Sequence, residues 1–138
     1  MSKWALVTGA TAGIGESFTR VLAREGFNIV LVARDLERMK ERAASLESQF
    51  KVQSAIVQAD LATDDGCAKV EKYILENQIE VLVNNAGFGI NKAFSVSDLD
   101  SEQQLLDVLV RTPMRLMHTV LPQMKQRNSG SIINVSSV

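Results

Sequence analysis

Five short apolar runs recur along the chain, at residues 4–7, 28–33, 52–57, 81–83 and 131–135, each rich in Val, Ile or Leu and none alternating with polar residues. Runs of that length and composition read as strands covered on both faces. Between them lie stretches with helical spacing. Ile14, Phe18, Val21 and Leu22 form one stripe, closed by Gly26 as a C-terminal cap, and Leu36, Met39, Ala43, Leu46 and Phe50 form a second. Thr63 and Asp64 suit the N-cap of a third helix carrying Cys67, Val70 and Ile74. A longer fourth pattern starts at a capping box, Ser101 and Gln104, and runs through Leu105, Leu109, Leu116 and Val120 to Met124, with a kink expected at Pro113. Strand and helix alternating in this way predict parallel pairing through right-handed crossovers, hence a doubly wound α/β sheet.

The turn after the first strand reads Thr-Gly-Ala-Thr-Ala-Gly-Ile-Gly at residues 8–15. Glycines at Gly9, Gly13 and Gly15 let the backbone turn sharply and approach a pyrophosphate, at which the following helix aims its free N–H groups and positive dipole end. Thr11, Ala12 and Ile14 complete that loop. With the loop on the first strand, the order 3-2-1-4-5 puts a binding crevice between strands 1 and 4.

The second strand ends Val32-Ala33-Arg34-Asp35. A small Ala33 followed by Arg34 leaves room for a ribose 2′-phosphate and supplies a cation, which favours NADP; the alternative makes Arg34 a solvated charge and Asp35 the ribose ligand of NAD. Arg38, a turn further on, is a second candidate cation. Asp60 and Leu61 follow the third strand, where a carboxylate accepts from an adenine amino group. Asn84, Asn85, Ala86 and Gly87 follow the fourth, and the small Ala-Gly pair admits a ribose close to the backbone.

A chain of 138 residues with 46% hydrophobic and 22% charged residues is expected to form one domain over residues 1–138. Fifteen basic against sixteen acidic residues, evenly spread, give no footprint for nucleic acid or an anionic membrane, so the expected partner is a small molecule. No apolar run approaches a membrane span and the first residues lead straight into a strand, from which a cytoplasmic protein is expected. A single cysteine, Cys67, allows no internal disulfide, and Cys67 and the single histidine, His118, read as packing or helix-surface residues. No metal site is expected.

These segments resemble the short-chain dehydrogenase/reductase family. Residues 8–15 match its Thr-Gly-x-x-x-Gly-x-Gly motif, Asp60 its adenine-binding aspartate, residues 84–87 its Asn-Asn-Ala-Gly motif, and Ile133-Asn134-Val135-Ser136-Ser137 its catalytic-serine strand. The resemblance implies a Rossmann-type fold and hydride transfer between a nicotinamide and a carbonyl or alcohol carbon, in a protein that forms homo-oligomers. It assigns Ser137 to the hydrogen bond on the substrate oxygen, beside a Tyr general acid/base and a Lys that tunes it.

The chain departs from the family at two points. No Tyr-x-x-x-Lys pair is present: Tyr73, the single tyrosine, is followed four residues on by Asn77 and precedes the serine motif. The sequence stops one residue after Ser137, so an N-terminal fragment is expected, lacking the family's C-terminal strands and helices and inactive alone. Position 109, where the family carries an Asn that helps place a proton-relay water, is Leu109, which cannot hydrogen-bond. Arg111 points elsewhere on a regular helix. A non-catalytic nucleotide-binding or sensing module therefore stands beside the reductase reading; a methyltransferase shares the architecture but accounts for neither Arg34 nor the Asn-Asn-Ala-Gly segment.

Overall fold

The computed structural model describes residues 2–136. Five strands, β1 (Trp4–Thr8), β2 (Asn28–Ala33), β3 (Ser54–Gln58), β4 (Val81–Asn84) and β5 (Ser131–Asn134), form one sheet in the order β3-β2-β1-β4-β5, all pairs parallel. The order matches the expectation, and so does its cause. In β1, Ala5 and Val7 join one core with Ile29, Leu31, Val81 and Val83, whereas Leu6 joins the opposite core with Val30, Val32 and Leu82. Both faces are dry, so the sequence has no reason to alternate.

Helices α1 (Gly13–Arg24) and α2 (Leu36–Phe50) cover the first face, and α3 (Asp64–Glu76) and α5 (Thr112–Arg127) the second. Met39, Ala43 and Leu46 are buried on α2 as the stripe predicts, and Thr63 Oγ1 caps α3 by accepting from Gly66 N at 3.0 Å. Tyr73 packs against the second core, and burial raises its phenol pKa; Cys67 is fully buried there and burial raises its thiol in the same way.

Two expectations need correction and a third is sharpened. The fully buried face of α1 is Gly15, Thr19 and Ala23; of the expected stripe, Phe18 and Leu22 are half-buried against the core, while Ile14 and Val21 are exposed. Small residues win because the helix start lies almost against the β1 turn. The fourth helical region starts earlier than the capping box, with α4 (Leu99–Leu106) preceded by Asp98; Ser101 Oγ instead lies 3.4 Å from Asp98 Oδ2. Finally, α4 runs into α5 through a π-turn at Asp107–Arg111, in which Thr112 N donates to Asp107 O, five residues back. Pro113 comes next. It has no N–H to give and its ring crowds the carbonyl four residues before it, and the wider turn just before it is the form the disturbance takes.

Candidate functional site

The C-terminal ends of β1 and β4 are joined by one side chain. Thr8 Oγ1 accepts from Asn85 N at 2.9 Å and Ala86 N at 3.0 Å, and donates to Val83 O at 3.4 Å. Asn85 returns the tie, donating through Nδ2 to Thr8 O at 3.3 Å and Gly9 O at 3.2 Å. The glycine turn is built onto this joint. Gly9 has φ +62°, and a Cβ there would sit 2.9 Å from Asn85 Nδ2; a Cβ on Gly15 would overlap the Gly9 carbonyl. Gly15 is therefore a packing glycine, which lets the N-terminus of α1 close on the turn.

Above the joint opens a cleft of about 860 Å³ at the point where the winding of the sheet reverses. Of the residues singled out from the sequence, Gly9, Thr11, Ala12, Arg34, Asp60, Leu61, Asn85, Ala86 and Gly87 line it, and so does Asp35, the alternative ribose ligand. Gly13, Ile14 and Gly15 do not: Gly13 makes the positive-φ turn into α1, Ile14 is exposed and Gly15 is buried. Ser137 lies outside the described residues. Phe88, next along the β4 turn from Gly87, and Gln104 and Val108 complete the wall; the last two are not foreshadowed by any motif, since only the packing of α4 and the π-turn beside the β4 turn brings them there.

The two acidic–basic neighbours at the end of β2 have separate tasks. Asp35 caps α2, accepting from Arg38 N at 3.1 Å, while the exposed Arg34 side chain has no carboxylate partner among the described residues. The Arg34 backbone is held by Gln58 Nε2, which donates to its carbonyl at 3.0 Å. Arg38 also lines the cleft, with its guanidinium 3.4 Å from Thr11 O. Across the cleft, Asp60 Oδ1 accepts from Ala62 N at 3.0 Å, which holds the carboxylate on the wall. Leu61 is buried, and its carbonyl accepts from Thr112 Oγ1 at 2.7 Å, so the loop after β3 is tied to the start of α5.

Leu109 lies in the π-turn, and its Cδ2 would be 3.0 Å from a Cβ on Gly87, so an apolar side chain covers the end of the β4 turn. Arg111 turns away to Asp64 at 2.8 Å and Asp107 at 3.6 Å, as helical geometry predicts. Among the described residues no cluster of His, Cys, Asp and Glu could hold a metal, and no helix is long and apolar enough to cross a membrane. The cleft thus offers the backbone of the glycine turn at Gly9, Thr11 and Ala12, the Arg34 guanidinium at the end of the neighbouring strand and the Asp60 carboxylate on its wall, a set suited to an elongated anion with a nucleobase at one end.

A model of the short chain dehydrogenase family matches residues 3–138. The very-long-chain 3-oxoacyl-CoA reductase-B of Danio rerio is 36% identical over 141 residues, covering 99% of this chain and 45% of that protein. The bulky-bulky ketone specific alcohol dehydrogenase of Comamonas testosteroni superposes with a TM-score of 0.95 at 39% identity, over 99% of this chain and 55% of that one. A short-chain dehydrogenase from Sphingobium yanoikuyae, solved in complex with NADPH, gives 0.95 at 34% identity, over 99% and 54%. The chain spans about half the length of these proteins.

Proposed function

The chain belongs to the short-chain dehydrogenase/reductase family, and on that premise we propose that it is the cofactor-binding part of an NADP-dependent oxidoreductase interconverting a carbonyl and an alcohol. The observation that carries the cofactor choice is the division of labour at β2: both side chains line the cleft, but Asp35 Oδ1 is taken up in capping α2, while the Arg34 guanidinium has no carboxylate partner among the described residues. A carboxylate already accepting a helix N–H is poorly placed to grip ribose hydroxyls, and an unpaired guanidinium suits a 2′-phosphate. The NADPH complex of the Sphingobium relative supports the same choice.

The bound nicotinamide supplies the hydride. In this reading Gly9, Thr11, Ala12, Gly13 and Ile14 form the pyrophosphate turn, Gly15 keeps it closed on α1, Arg34 holds the 2′-phosphate, and Asp60 with Leu61 frames the adenine. Asn85, Ala86 and Gly87 present backbone to the ribose, and Ser137 hydrogen-bonds the substrate oxygen. No Tyr–Lys pair exists within the 138 residues to move the proton, so they do not turn over by themselves. The near-balanced charge supports a small-molecule substrate, and a cytoplasmic, homo-oligomeric whole protein goes with this reading.

Leu109 over Gly87 favours a second reading, a nucleotide-binding module without catalysis. Assaying NADPH oxidation against a panel of ketones and aldehydes separates the two. The reductase reading expects turnover by the whole protein and none by the 138-residue chain. Turnover by the chain alone, or none by the whole protein on any carbonyl, contradicts it.

A further inference from the structure

The carbonyl of Thr11, inside the glycine turn, is approached by two guanidinium groups from α2: Arg38 at 3.4 Å and Arg42 Nε at 3.3 Å. They differ in one respect. Arg38 lines the cleft and Arg42 does not; Arg42 instead pairs through Nη1 with Glu16 at 3.5 Å, in the first turn of α1. A carboxylate in that turn suits the helix dipole when no ligand is present, but it sits at the helix end that must accept a pyrophosphate, where it repels the incoming anion. Both partners are only about a third or less exposed, so solvent screens the pair incompletely.

We propose that Arg42 is a positioning residue for the nucleotide, neutralising Glu16 and holding the turn through the Thr11 carbonyl without touching the ligand. The inference rests on the cofactor-binding reading. It separates two tasks: Arg34, in the turn after β2, with Arg38 on α2 faces the 2′-phosphate and decides NADP against NAD, while Arg42 on α2 acts on the pyrophosphate that both cofactors share.

Titration calorimetry with NADP⁺, NAD⁺ and adenosine 2′-monophosphate tests this, because the last ligand has the 2′-phosphate but no pyrophosphate. Arg42→Gln is expected to weaken NADP⁺ and NAD⁺ by the same factor, about fivefold, and to leave adenosine 2′-monophosphate unchanged. Glu16→Gln alone, which removes the repelling charge and leaves Arg42 in place, is expected to tighten both dinucleotides, and the double variant to return near the unaltered affinity. Loss confined to NADP⁺ would make Arg42 a 2′-phosphate ligand and overturn the proposal. So would an equal loss for adenosine 2′-monophosphate, or a Glu16→Gln variant that binds dinucleotides more weakly. If the unaltered chain binds neither dinucleotide, the underlying reading fails, and that result is distinct from all of these.

Discussion

Replacing Thr8 by Val removes the oxygen that joins β1 to the β4 turn while keeping the shape of the side chain. Thr8 is 2% exposed, so water cannot take over the lost role at Oγ1. Two backbone donors, Asn85 N and Ala86 N, lose their acceptor, and Val83 O loses a long bond. A buried donor left without a partner costs about 1–3 kcal/mol. Asn85 and Ala86 are only half-buried, so the lower half of that range applies and the total comes to about 3 kcal/mol. For a domain of this size that lowers Tm by about 10 °C. Urea unfolding followed by circular dichroism reads the effect, with Thr8→Ser as control: it keeps the oxygen, loses one methyl group and is expected to cost about 1 kcal/mol. A Thr8→Val protein within about 0.5 kcal/mol of the unaltered chain would refute the claim that this hydroxyl holds the switch point together.

Gly15→Ala is expected to destabilise by more than about 2 kcal/mol and to abolish dinucleotide binding, because the new methyl group meets the Gly9 carbonyl; thermal melts with and without NADP⁺ check both effects. Glu80, at the far end of the sheet, accepts from the Ser129 hydroxyl and has Lys3 and Arg127 at 3.5 Å, causes that hold its carboxyl below the ordinary 4.5. A depressed folded-state pKa gives stability that is present above the unfolded value and disappears as pH falls through the folded one. Glu80→Gln should therefore lower the urea midpoint at pH 7, by an amount that shrinks as the pH falls below 4.5. Leu106, Val110, Met114 and Leu121 are exposed along α4, the π-turn and α5, so light scattering of the 138-residue chain is expected to show concentration-dependent association; a monomer at every concentration contradicts that.

The sheet order and the site's strand ends were legible because each rests on local chemistry. Val-rich runs without alternation imply two covered faces, and Gly9, Asp60 and Asn85 each follow such a run by two or three residues. The α1 stripe is half right: Phe18 and Leu22 pack on the core, but close approach at Gly15 demands small residues that a hydrophobic stripe does not count. Pro113 signalled a disturbance but not its form, since a kink and a π-turn both relieve the missing N–H. The grip of Arg38 and Arg42 on Thr11 spans 27 and 31 residues, and nothing near either arginine announces it. Gln104 and Val108 reach the cleft through the same long-range packing.

The central claim is that Arg34 makes this cleft an NADP site. Titrating NADP⁺ and NAD⁺ into the unaltered chain and into Arg34→Ala tests it most directly. A charge-assisted contact with a phosphate predicts NADP⁺ bound at least about tenfold more tightly than NAD⁺, with most of that difference gone in the variant. Equal affinities, a preference for NAD⁺, or a preference for NADP⁺ that survives Arg34→Ala would contradict it.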